Sequence, residues 1–102
     1  MRLDHEQKEQ LKRDVAACLM GEDEVQRIVV FGSFLTSDEP NDMDVAVFQT
    51  STESYLPLAL KYRKRVRPVA KRIPLDIIPV RPNPEPGVFL SEVERGEVIY
   101  ER

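Results

Sequence analysis

The chain has 102 residues, 41 % of them hydrophobic and 32 % charged, with a formal net charge of −3. That length and apolar content support one domain with a single core, and the weakly acidic balance argues against a general nucleic-acid coat protein. One cysteine, Cys18, excludes an intramolecular disulfide, which fits a reducing cytoplasm. No apolar run reaches the roughly 20 residues of a membrane helix, so no membrane partner is expected. The charged opening, MRLDHEQKEQLKRD, lacks the apolar core of a secretory signal. A cytoplasmic location is therefore expected.

In chain order, residues 4–20 read as a helix. Leu3, Leu11, Val15, Cys18 and Leu19 recur at three-to-four spacing, Asp4 suits the N-cap, and Gly21 suits a left-handed C-terminal position. Arg27-Ile28-Val29-Val30-Phe31 is a short β-branched run, read as a buried strand ending at Gly32. Residues 33–42 carry turn formers and read as a loop. Met43–Phe48 alternates as a second strand. Tyr55 to Ile73 keeps helical spacing, with Pro57 in the first turn and a break near Arg67 imposed by Pro68. Leu75–Val80 is a third strand whose Pro79 puts its end at an edge or just outside the ladder. Residues 81–87, RPNPEPG, form a stiff connection. Val88–Glu94 reads as one or two helical turns before Gly96, and Val98-Ile99-Tyr100 as a last short strand. The order predicts an α+β domain over residues 1–102, a small mixed sheet flanked by helices.

Charge is unevenly placed. Between Ser54 and Leu75 there is no acidic residue, and the seven cations there, Lys61, Arg63, Lys64, Arg65, Arg67, Lys71 and Arg72, carry +7, leaving −10 on the rest. Two readings stay open: a solvated helix face, or a site for a polyanion or an acidic partner. Nucleic-acid binding ranks last, because the net charge is negative and no reading motif is present.

The chemistry concentrates in two short stretches. Asp42 and Asp44 lie two apart at the start of a strand, so both side chains leave one face, about 7 Å apart along the backbone. Met43, Val45 and Val47 then face the core. Carboxylate oxygens on one rigid face suit magnesium or manganese and leave coordination positions open. Gly32-Ser33 directly follows the first strand, where glycine permits close backbone approach to a phosphate and serine adds a hydroxyl. A third acid, Asp76, opens the LDIIPV strand. Each part alone reads equally as a turn or strand end. Together they are the equipment of metal-assisted phosphoryl or nucleotidyl transfer.

Gly32-Ser33, eight residues, then Asp42-Met43-Asp44 resembles the hG[GS]…DhD signature of the polymerase-beta-like nucleotidyltransferase superfamily. FGS, PNDMDVAVF, PLDIIPV and the closing FLSEVERGEVIYER resemble, in order, the elements of its minimal nucleotidyltransferase branch. The resemblance implies that Asp42, Asp44 and Asp76 are catalytic metal ligands for a pair of magnesium ions, with Asp76 also orienting the acceptor hydroxyl. It implies that Gly32 and Ser33 bind the triphosphate of a nucleotide, ATP by default. It further implies AMP transfer to a HEPN-type toxin by an antitoxin. The chain departs in carrying Phe34-Leu35 where many relatives have a basic residue after Gly-Ser. A second reading makes the chain a catalytically weak or inactive antitoxin that neutralises its partner by contact. An open edge strand also allows a homo-oligomer.

Four other features read as structural, and a fifth stays open. His5 is a lone exposed imidazole and Cys18 a core thiol. Tyr55 and Tyr62 share a packing face, and Phe31 and Phe48 pack beneath the motifs. Phe34 is open to loop exposure with base stacking or to burial.

Overall fold

The computed structural model describes residues 2–102. Its elements are α1 (His5–Leu19), β1 (Val25–Phe31), α2 (Ser33–Thr36), β2 (Met43–Gln49), α3 (Tyr55–Arg65), α4 (Arg67–Ala70), β3 (Leu75–Val80), α5 (Val88–Glu94) and β4 (Glu97–Glu101). The strands form one mixed sheet in the order β3-β2-β1-β4. β1 is antiparallel to β2 and to β4, and β2 is parallel to β3. This is the α+β architecture expected. No helix of the described residues is long and apolar enough to cross a membrane.

Strand alternation sorts side chains between two faces. Ile28, Val30, Met43, Val45, Val47 and Ile77 point to one face, where Leu11, Val15 and Leu19 of α1 and Leu58 and Tyr62 of α3 close the main core. Val29, Phe31, Ala46, Phe48 and Val80 point to the other, which α5 covers through Val93. A bulge between Val25 and Arg27 shifts the register and lets both Val25 and Ile28 reach the main core. The second face is thus the thinly covered one, and its near end carries the acids.

Most expected elements are present, with informative differences. Asp4 caps α1 in a reciprocal capping box: its carboxylate accepts from Gln7 N–H at 2.8 Å, and Gln7 Oε1 accepts from Asp4 N–H at 2.9 Å. Gly21 is not left-handed. Helix α1 ends through Met20 in a right-handed conformation, and among the described residues the glycine in the left-handed half of φ is Gly32. The long helical segment breaks at Val66, and Pro68 sits in the first turn of α4, which uses proline's fixed φ. Pro79 stands on an edge strand, where a missing N–H is tolerated.

The loop expected over 33–42 contains the helical turn α2, and its Phe34 is fully buried against the main core. The possibility of Phe34 stacking on a base is therefore ruled out. Tyr62 is buried as expected, but Tyr55, in the first turn of α3, is 54 % exposed. Cys18 is only half-buried at the rim of the stripe, and partial burial with the nearby Asp14 charge raises its thiol pKa. His5 is exposed.

Candidate active site

The three acids converge. Asp42 immediately precedes β2, Asp44 lies within it, and Asp76 lies on β3 as the register partner of Asp44. Parallel pairing places both side chains on the second face, one strand spacing apart. One carboxylate oxygen from each of Asp42, Asp44 and Asp76 lies within 4.8 Å of the other two. Asp42 and Asp44 are half-buried and Asp76 is exposed.

Concentrated negative charge marks Asp44. Burial first, and then the charges of Asp42 and Asp76, push its carboxyl up to about 6. A proton is one way to relieve three crowded carboxylates, and a divalent cation is another. The donor set is entirely hard oxygen, on two adjacent strands whose far halves are buried. Such a set fits magnesium or manganese, with positions left for water and phosphate.

Gly32 completes the geometry in a way that its place in the sequence does not reveal. Its φ is +80° and ψ −157°, a conformation essentially reserved for glycine. A Cβ at that position would stand 2.8 Å from Asp44 Oδ2. Gly32 therefore lets the turn after β1 pass directly over the Asp44 carboxylate. The chain then enters α2 at Ser33, which is exposed. Asp42, Asp44, Asp76 and Gly32 thus lie together at one end of one sheet face, with Ser33 next in the chain.

The basic segment is not part of this cluster, and three of its seven cations are already paired. Lys61 bridges Glu22 at 3.1 Å and Glu24 at 3.0 Å, Arg65 meets Glu22 at 2.7 Å, and Arg72 pairs with Asp14. Glu24 also accepts from the buried Tyr62 hydroxyl at 2.9 Å. Burial, and after it the bond to Glu24, raises the Tyr62 pKa far above its ordinary value. These three cations are engaged within the fold itself. Arg63, Lys64, Arg67 and Lys71 are exposed and make no ion pair among the described residues.

The sequence matches the family described as "Polymerase beta, Nucleotidyltransferase" over residues 13–102. The chain belongs to that family. Two solved structures share the fold. A chain of the crystal structure of the toxin–antitoxin MntA–HepT superposes with a TM-score of 0.65 at 16 % identity, covering 92 % of this chain and 73 % of that one. A chain of the tri-AMPylated Shewanella oneidensis HEPN toxin in complex with MNT antitoxin gives a TM-score of 0.63 at 19 % identity, covering 93 % and 73 %. At such identities the likeness is one of fold. No curated protein sequence matches this chain significantly. The family supports a transferase of nucleotidyl groups.

Proposed function

We propose that this single nucleotidyltransferase domain transfers AMP from ATP to a hydroxyl of a HEPN-type partner protein, as the antitoxin of a cytoplasmic toxin–antitoxin pair. The observation that carries the reading is the convergence of Asp42, Asp44 and Asp76 beside the Gly32–Ser33 turn. The AMPylated toxin in the second similar complex supports the choice of AMP and of a protein acceptor.

In this reading Asp42, Asp44 and Asp76 would hold magnesium, two ions being our expectation, which would supply charge neutralisation for the triphosphate and Lewis-acid activation of its α-phosphorus. The backbone at Gly32 and the Ser33 hydroxyl orient the β- and γ-phosphates. The acceptor oxygen attacks the α-phosphorus, forming a new P–O bond while the bond to pyrophosphate breaks. Asp76, the most exposed of the three acids, orients the acceptor hydroxyl and takes its proton. The thinly covered face leaves room for a macromolecular acceptor to reach that atom.

A second reading, neutralisation by contact alone, draws on the exposed face of α3. There Tyr55, Leu56 and Leu60 are 54 %, 61 % and 54 % exposed, a patch of the kind that partners cover. The two readings separate in one assay. The chain is incubated with its co-purifying HEPN-type partner, magnesium and ATP labelled at the α-phosphate. Transfer of label by the wild type, lost in Asp42→Ala/Asp44→Ala with the complex intact, supports catalysis. A double variant that neutralises the partner as well as the wild type refutes it.

A further inference from the structure

The sheet face that carries the acids continues sideways into two aromatic rings. Phe31 on β1 is the register partner of Asp44 on β2, as Asp76 is on β3. Directly opposed residues share a face, so Asp76, Asp44 and Phe31 form one row across three strands, each step about 4.8 Å. Phe89 of α5 packs on the Phe31 end of this row. Its ring meets that of Phe31 edge to face, with centroids 5.8 Å apart and planes at 88°.

Helix α5 holds this arrangement. Phe89 and Val93 are four residues apart and so lie on one side of the helix. Val93 is buried over the second face, whereas Phe89 leans on Phe31 and remains 40 % exposed. Val88 beside it is 82 % exposed. Phe48 on the same face is already covered, by the Arg27 guanidinium 4.1 Å from its ring centre. Phe89 is therefore the aromatic surface still open, and it is tied to the acid row through Phe31.

We propose that Phe89, backed by Phe31, is the stacking platform for the base of the nucleotide whose phosphates lie at Asp42, Asp44 and Asp76. The inference rests on the functional reading above and adds the residue that holds the base. The row runs from charged to apolar, as a nucleotide does from phosphates through sugar to base. The platform is all hydrocarbon, so it supplies affinity through the π-face that every base has, with purines favoured over pyrimidines by area. Phe31 fixes Phe89 before the ligand arrives, which lowers the entropy lost on binding.

Calorimetry with magnesium-ATP and with magnesium-tripolyphosphate, on the wild type, Phe89→Ala and Phe89→Trp, tests this. Phe89→Ala is expected to weaken ATP binding about tenfold. Phe89→Trp should keep ATP affinity, and tripolyphosphate should bind all three proteins alike. ATP binding unchanged in Phe89→Ala would overturn the platform while leaving the acid site standing, and would leave the ring to a protein partner. An equal loss for ATP and tripolyphosphate would make Phe89 a structural support and would also overturn it. A wild type that binds neither ligand with magnesium would remove the functional reading and this inference together.

Discussion

Asp44 couples site chemistry to stability. Its carboxyl titrates near 6 in the folded chain against an ordinary value of 3.8. The folded state therefore holds the proton more tightly than the unfolded state. Stability of the metal-free protein falls as pH rises from about 4 to about 6, by about 1–2 kcal/mol once solvent screening is allowed for. Thermal melts in chelator are expected to show that slope in the wild type and to lose it in Asp44→Asn. The variant should then be the more stable protein at pH 7. A flat wild-type profile would contradict the crowding of the three acids. Gly32→Ala acts on the same contact from the other side. The strained φ and the approach to Asp44 Oδ2 should cost about 2 kcal/mol and misplace the carboxylate. A lowered melting temperature together with weakened magnesium-ATP binding is the expected pair of results.

The strands show what local pattern can and cannot reveal. RIVVF, MDVAVF and LDIIPV were legible because β-branched runs bounded by glycine, proline and polar residues have few other uses. Alternation in MDVAVF also separated Asp44 from Met43, Val45 and Val47 correctly. The helical turn α2 was not legible. Four residues give no periodicity, and the burial of Phe34 depends on long-range packing against α1 and the sheet. Pairing of the α3 cations was hidden for the same reason, since Glu22 and Glu24 lie some 40 positions away in the chain. Within that network, Tyr62→Phe removes one bond to Glu24 and should cost about 1 kcal/mol in denaturant unfolding. Gly96 is a second contact that only the fold discloses. A Cβ there would meet Val30 O at 2.5 Å and Val29 Cγ1 at 2.8 Å, so Gly96→Ala must push β4 from β1. About 2 kcal/mol of destabilisation is expected, with faster hydrogen exchange in β4 than in β2.

Across the whole molecule, helices α1, α3 and α4 thicken one face of the sheet and leave the other to α5. That asymmetry follows from connectivity. The parallel β2–β3 crossover deposits α3 and α4 on the main-core side, while the stiff 81–87 connection carries the chain back to lay α5 on the other. The acids, the Gly32 turn and the Phe31–Phe89 pair all fall on the thinly covered face, where the proposed nucleotide and acceptor would meet. The family motif made the acid site readable from sequence, because the two Asp residues of DMD sit in one strand opening and Asp76 in another. The aromatic row was not readable, because Phe31 and Phe89 are 58 positions apart and meet only through the return of α5. The most direct test of the account is calorimetric titration of ATP into the wild type and Asp44→Ala, with and without magnesium. The account predicts binding by the wild type that requires magnesium and is abolished in Asp44→Ala. Binding that ignores the metal, or that survives unchanged in the variant, would contradict it.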